Sequence, residues 1–203
     1  MFSILREKSN LGLKPAEDVS STNHFVFNRA MNGPFPETTR KVMLGMGCFW
    51  GVEKLFWNIT GVEMTAVGYS GGTSTNPSYQ EVCSSKTGHN EVLLLHYNPS
   101  VLSFEKVLKT FWEGHNPTQG MRQGNDIGSQ YRSGIYTYDR NDYELAIKTR
   151  VKYGNLLKSA GFKTITTEIS HAKEFYFAEG YHQQYLAKNP NGYCGLGGTG
   201  VIL

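Results

Sequence analysis

A cysteine stands between a glycine and two aromatic rings in Gly47-Cys48-Phe49-Trp50-Gly51. Upstream, Lys41 to Met46 is a short apolar run that reads as a strand. Downstream, Val52, Leu55, Phe56 and Ile59 recur at the spacing of one helix face. Cys48 is thereby placed at a helix N-terminus, where free N–H groups and the dipole favour an anion. A thiolate is such an anion, and a helix start lowers a thiol pKa. Tyr79, Glu91, Asp126, Tyr131 and Cys194 lie in or beside polar loops. A thiolate beside aromatic rings suits an electrophile that carries a small apolar group. A buried carboxylic acid can donate a proton near neutral pH. Two tyrosine hydroxyls can hold an oxygen gaining charge. A second cysteine on a glycine-rich segment can arrive later to form a disulfide. Such parts fit the two-electron reduction of an oxidised substrate and leave that substrate open.

The elements that must position these groups alternate from Lys41 onward. We expect a strand over 41–46, the Cys48 helix over 48–58 and a strand over 62–69. Glu91 to Tyr97 is apolar on both faces and reads as a central strand. Ser103 caps a helix through Phe104, Val107, Leu108, Phe111 and Trp112. Further expectations are a strand over Ser133–Tyr138, a helix over Asp142–Ser159, a strand over Ile165–Ile169 and a helix around 179–187. Strand-helix-strand-strand-helix-strand is the split βαβ order. It predicts an α+β fold: a mixed sheet with a ferredoxin-like core, helices on one face and long ordered loops at 70–90 and 114–132. Residues 1–38 read as a poorly ordered arm or leader, and 39–203 as a single catalytic domain whose glycine-rich tail carries Cys194.

Bulk properties narrow the classes. The chain has 203 residues, 39% hydrophobic and 18% charged, enough for a packed core. A net charge of +3 is too small and scattered to argue for nucleic acid or a membrane surface. No apolar run approaches the roughly 20 residues of a membrane span. Three cysteines are too few and too odd a set for a disulfide-stapled secreted domain. A cytoplasmic monomer is expected. The alternative of a mitochondrial leader rests on Arg6, Lys8, Lys14 and Arg29, and is weakened by Glu7, Glu17 and Asp18.

Seven stretches carry a resemblance. They are Gly47–Gly51, Tyr79–Cys83, Thr87–Glu91, Pro117–Asp126, Gly128–Ser133, Tyr181–Tyr185 and Gly192–Gly195. In this order they make the chain resemble the peptide methionine sulfoxide reductases of the A type over roughly residues 40–201. The resemblance implies that Cys48 attacks the sulfoxide sulfur and becomes a sulfenic acid while methionine leaves. Phe49 and Trp50 would receive the S-methyl group. Glu91 would protonate the oxygen, helped by Tyr79 and Tyr131, with Asp126 supporting the polar side. Cys194 would then form a disulfide with Cys48, and thioredoxin would restore both thiols. The implied substrates are the S epimer of methionine sulfoxide, free and in oxidised proteins, with no metal or organic cofactor. Residues 115–118 read His-Asn-Pro-Thr where the family has Asp at the second position. Many members carry a further cysteine after the second one, and none follows Cys194 here. Either thioredoxin attacks the Cys48–Cys194 bond directly, or regeneration is slow, or the chain is a shortened form.

Other signals point elsewhere or nowhere. Cys83, between Val82 and Ser84, reads as structural. Gly195 to Gly200 spells GxGxxG but follows no strand and opens no helix, so it is not a dinucleotide site. The histidines and cysteines show no paired metal spacing. A peroxidatic or disulfide-exchange protein would share Cys48 and Cys194 but would need neither the aromatic pair nor an acid at Glu91. A protein that binds oxidised methionine without reducing it would need no regeneration.

Overall fold

The structure is a computed structural model that describes residues 19–203. Its strands are β1 (Arg40–Met46), β2 (Val62–Ser70), β3 (Asn90–Tyr97), β4 (Arg122–Gln123), β5 (Asp126–Ile127), β6 (Ser133–Thr137), β7 (Glu168–His171) and β8 (Phe175–Phe177). Its α-helices are α1 (Phe49–Trp57), α2 (Tyr79–Cys83), α3 (Phe104–Gly114), α4 (Arg140–Ser159) and α5 (Tyr185–Lys188).

Six strands form one mixed sheet in the order β7-β6-β1-β3-β2-β8. All its neighbours are antiparallel except β6 and β7. The short β4-β5 hairpin stands apart. In β1, Val42, Leu44 and Met46 join Leu93, Leu95, Tyr97, Val67, Tyr69 and Ile135 in the main core. They do so because alternate side chains share one face. Helices α1, α3 and α4 cover that face with Phe49, Val52, Phe56, Phe111, Trp112, Tyr153 and Leu157. Burying one such large apolar side chain contributes about 1.5–3 kcal/mol. On the opposite face, Met43, Val92, Leu94 and Tyr136 meet Ala172 and Phe175. Beside them Met64 and Ala66 pack with Val19, Met31, Phe27 and Phe35.

The second face corrects part of the reading of 1–38. Residues 1–18 lie outside the described residues. From Val19 to Pro36 the chain lies on the sheet, with His24 wholly buried and donating through Nε2 to Thr65 Oγ1 at 2.8 Å. Sequence periodicity was blind to this because the segment packs through irregular loops.

Other elements also differ from expectation. Helix α4 begins at Arg140, capped by Asp139, whose carboxylate accepts from Asp142 N at 2.9 Å. The strand expected at Ile165–Ile169 lies at Glu168–His171, in parallel register with β6. The helix expected around 179–187 shrinks to Tyr185–Lys188. Before it, Gln183 folds onto the sheet: its Oε1 accepts from Val67 N at 2.9 Å and its Nε2 donates to Val67 O at 2.7 Å. A side-chain amide thus ends the β2–β8 ladder where a helical backbone was expected. The loop 70–90 contains α2, closed at its start by a reciprocal Ser78–Glu81 capping box. Edge strand β8 was missed, since three residues carry no legible alternation.

Candidate active site

Strand β1 delivers Cys48 through Gly47, whose φ of +93° only glycine adopts readily. A Cβ there would also stand 2.6 Å from Gln123 Cβ. Gln123 is fixed in turn: its Oε1 accepts from Asn116 N at 3.2 Å and its Nε2 donates to Asn116 O at 3.0 Å. Asn116, where the motif suggests Asp, keeps the acceptor role, because Oδ1 receives Thr118 N at 3.0 Å and Thr118 Oγ1 at 2.7 Å. The residue's local hydrogen bonding therefore survives the lost charge.

Cys48 is the N-cap of α1. The first two helical N–H groups serve the site. Phe49 N donates to Glu91 Oε2 at 3.1 Å, and the Trp50 N–H pulls the Cys48 thiol pKa down. This pull does not win. Burial and then the Glu91 carboxylate push the thiol well above its ordinary value, with smaller contributions from Asp126 and Cys194. The expectation of a thiol lowered by the helix start therefore fails for the resting geometry. Desolvation of a half-buried thiolate facing a carboxylate outweighs one helix end.

Glu91 is the second residue of β3, opposite Tyr69, and is 2% exposed. Burial raises its pKa to about 8, against the Phe49 N–H, while Asp126 adds a further upward push. At neutral pH it is mostly the protonated acid. Tyr131 and Tyr79 are both half-buried beside it, and burial pushes both hydroxyls up, with the Glu91 charge contributing to each. Both therefore stay protonated donors. The structure thus brings Cys48, Glu91, Tyr79, Tyr131 and Asp126 into one electrostatic cluster.

The two aromatic residues after Cys48 divide their roles. Phe49 is 1% exposed and belongs to the core, edge-on to His182 at 5.2 Å. Trp50 is half-buried, stacked on Tyr185 at 3.9 Å, and donates through Nε1 to His182 Nδ1 at 3.0 Å. An apolar surface here is chiefly the Trp50 face.

Cys194 is a free, exposed thiol. Its segment packs on α1: a Cβ on Gly51 would stand 3.0 Å from Cys194 Sγ and 2.9 Å from Leu196 Cβ. The tail is anchored on both sides of it. Tyr193 OH donates to Asp126 Oδ2 at 3.2 Å, and Tyr153 OH donates to Val201 O at 3.0 Å. Asp126 thus holds the strand of chain that carries the second thiol. Cys83 is exposed, with its thiol against the Tyr79 hydroxyl and Gln130. Its exposure departs from the buried setting usual for a structural cysteine.

Sequence reasoning named no role for Glu179, His182, Tyr185 or Gln184. Glu179 Oε1 accepts from Tyr79 N at 2.8 Å, and its Oε2 accepts from Tyr69 OH at 2.9 Å. His182 sits amid Phe49, Trp50, Tyr79 and Tyr181. Burial lowers its pKa to about 4, so it is neutral; with Nδ1 accepting from Trp50, its proton sits on Nε2. Gln184 adopts φ +48° and donates to buried Glu53 from its backbone N at 2.7 Å and its Nε2 at 2.8 Å. The available signal was the Tyr-His-Gln-Gln-Tyr run at 181–185, which carried the resemblance but suggested no chemistry.

Among the described residues, no group of three or more His, Cys, Asp or Glu could hold a metal ion, and no helix is long and apolar enough to cross a membrane.

Known proteins match most of the chain. The family model described as peptide methionine sulfoxide reductase matches residues 40–199. A peptide methionine sulfoxide reductase MsrA of Brucella anthropi is 59% identical, covering 90% of this chain and 84% of its own. The structure of methionine sulfoxide reductase A of Corynebacterium diphtheriae superimposes with a TM-score of 0.79 at 44% identity, covering 84% of this chain and 83% of that one. Mxr1 of Saccharomyces cerevisiae in reduced form has a TM-score of 0.74 at 34% identity, covering 80% and 92%. Mxr1 in complex with Trx2 shares the fold, with a TM-score of 0.53 at 23% identity, covering 75% and 88%.

Proposed function

The chain belongs to the peptide methionine sulfoxide reductase family of oxidoreductases, and on that premise we propose that it reduces methionine S-sulfoxide, free and in oxidised proteins, through Cys48. The observation that carries the chemistry is Glu91: a buried carboxyl held by Phe49 N, raised to about 8 and so protonated at neutral pH beside the thiol.

The Cys48 sulfur attacks the sulfoxide sulfur while Glu91 gives its proton to the oxygen. The S–O bond of the substrate breaks, the hydroxyl passes to Cys48 and methionine leaves. Glu91 is reprotonated from the thiol, so one thiol and one sulfoxide become one sulfenic acid and one thioether. Protonated Glu91 also lacks the charge that opposes ionisation of Cys48, so the acid form serves both partners. Tyr79 and Tyr131 donate to the oxygen as charge builds. Trp50, flattened against Tyr185 and tethered to His182, receives the methyl group, with Phe49 packed edge-on against the same His182.

Cys194 then attacks the Cys48 sulfenic acid, expelling water and leaving a disulfide. Its segment already lies on Gly51, one turn along α1 from Cys48, which supports this order. A thioredoxin returns both thiols; the complex of the yeast relative with Trx2 supports that partner. The catalytic domain read at 39–203 also takes in the segment from Val19 that packs on its sheet, and it acts as a cytoplasmic monomer. Its core is of the ferredoxin-like split βαβ type, supported by the antiparallel order β6-β1-β3-β2 with α1 after β1 and α3 after β3. Sulfoxides are chiral at sulfur and one enzyme serves each epimer. Rapid mixing with each epimer separately, without reductant, tests the reading. One methionine per chain from the S form alone is expected; none from either form would refute it.

A further inference from the structure

Strand β8 is an edge of the sheet, and no described strand pairs with its outer side. Its inner side is settled by register. Ala178 N donates to Val67 O at 3.0 Å, and Tyr69 lies opposite Tyr176. Antiparallel pairs alternate between bonded and unbonded. Tyr176 therefore turns its main-chain groups toward β2, while Phe175 and Phe177 turn theirs outward. Such an edge is a template for an added strand.

A groove of about 1560 Å³ runs along this edge, between β8 and helix α2. Ser78, Gln80, Tyr176, Glu179 and Tyr181 line it. Small-molecule pockets run to roughly 300–1,000 Å³, so the space suits a polymer better than one amino acid. None of the proposed catalytic side chains lines the groove, but the sheet register brings it close to them. Glu91, Tyr69 and Tyr176 stand in one row across β3, β2 and β8. With strands about 4.8 Å apart, the edge is about 10 Å from the proton donor, the reach of roughly three extended residues. Glu179 joins the two places directly, since it lines the groove and accepts from Tyr79 N at 2.8 Å.

We propose that the β8 edge and the α2 wall bind the polypeptide that carries the oxidised methionine, as an extended segment added in β fashion on one side of the sulfoxide residue. The inference rests on the reductase reading and names how its polymeric substrate docks. Main-chain bonds to Phe175 and Phe177 would give affinity without demanding a sequence. A damage site with varied neighbours needs recognition of that kind.

The test compares free methionine S-sulfoxide, its N-acetyl methylamide and nine-residue peptides with the sulfoxide placed at either end. Extension on one side alone should raise kcat/KM about tenfold over the capped amino acid. N-methylation at alternate residues on that side should remove the gain, and at the intervening residues should not. A benzophenone side chain three residues from the sulfoxide should form adducts within 77–84 or 175–181 upon irradiation. Equal kcat/KM for all substrates, indifference to N-methylation, or adducts elsewhere would overturn the proposal. A groove filled by the chain before Val19 or by a second copy would give neither gain nor adduct, and overturns it likewise. Adduct mapping needs no turnover, so it decides the docking question even if the reductase reading itself failed; turnover of the free amino acid decides that reading separately.

Discussion

Replacing Glu91 by Gln tests the proton inventory of the site. The amide preserves shape, and its oxygen can still accept from Phe49 N, which the carboxylate does at 3.1 Å. It cannot give up a proton to a leaving oxygen. Burial moves the Glu91 pKa from 4.5 to about 8. At about 1.4 kcal/mol per tenfold change, that corresponds to about 5 kcal/mol between its two protonation states. The wild-type rate of methionine release should therefore hold from pH 6 to about 8 and fall roughly tenfold per unit above it, as the acid form is lost. In Glu91→Gln this limb should vanish, and the rate at pH 7 should drop roughly 10²–10⁴-fold. Stability should move the other way. The folded carboxyl holds a proton that the unfolded chain has released, so wild type loses stability as pH rises from 4.5 to about 8. Gln does not titrate, so the variant's melting temperature should gain on the wild type through that window. The Cys48 thiol, pushed up second by the Glu91 charge, should ionise at lower pH in the variant. Single-turnover release at pH 6–9.5, thermal melts on the same grid and thiolate absorbance near 240 nm give the three readouts. A rate within tenfold of wild type, or an unchanged alkaline limb, would refute Glu91 as the acid.

Cys48→Ser should abolish methionine release in rapid mixing. Cys194→Ser should still release one methionine per chain and then stall with thioredoxin; undiminished turnover would remove Cys194 from the cycle. His182→Leu takes away the acceptor for Trp50 Nε1, 3.0 Å from Nδ1, and leaves that part-buried donor unpaired. At about 0.5–1.5 kcal/mol for a lost hydrogen bond, kcat/KM should fall roughly 2–10-fold, and an unchanged value would deny the tether a role. Gly47→Ala places a Cβ at φ +93° against Gln123; denaturant titration should show a loss of about 1–3 kcal/mol, and a smaller loss would mean that the turn relaxes freely.

The sequence by itself determined the candidates for the chemistry and the elements nearest them. Lys41–Met46, Glu91–Tyr97 and the helix capped by Ser103 were legible because their apolar spacing follows the period of a strand or helix that buries one or both faces. Cys48 was legible because a glycine turn between two such elements leaves a helix start. Tertiary structure alone decided the ionisation state at that start. Helix position argued for a lowered thiol, whereas burial and a carboxylate from a strand 43 residues away in sequence raise it. Local pattern carries no measure of desolvation, which depends on everything packed around the group. The same holds for Glu179, His182 and the edge strand β8. Their places come from side-chain hydrogen bonds and sheet pairing between distant segments, and no window of the chain contains both halves of those contacts.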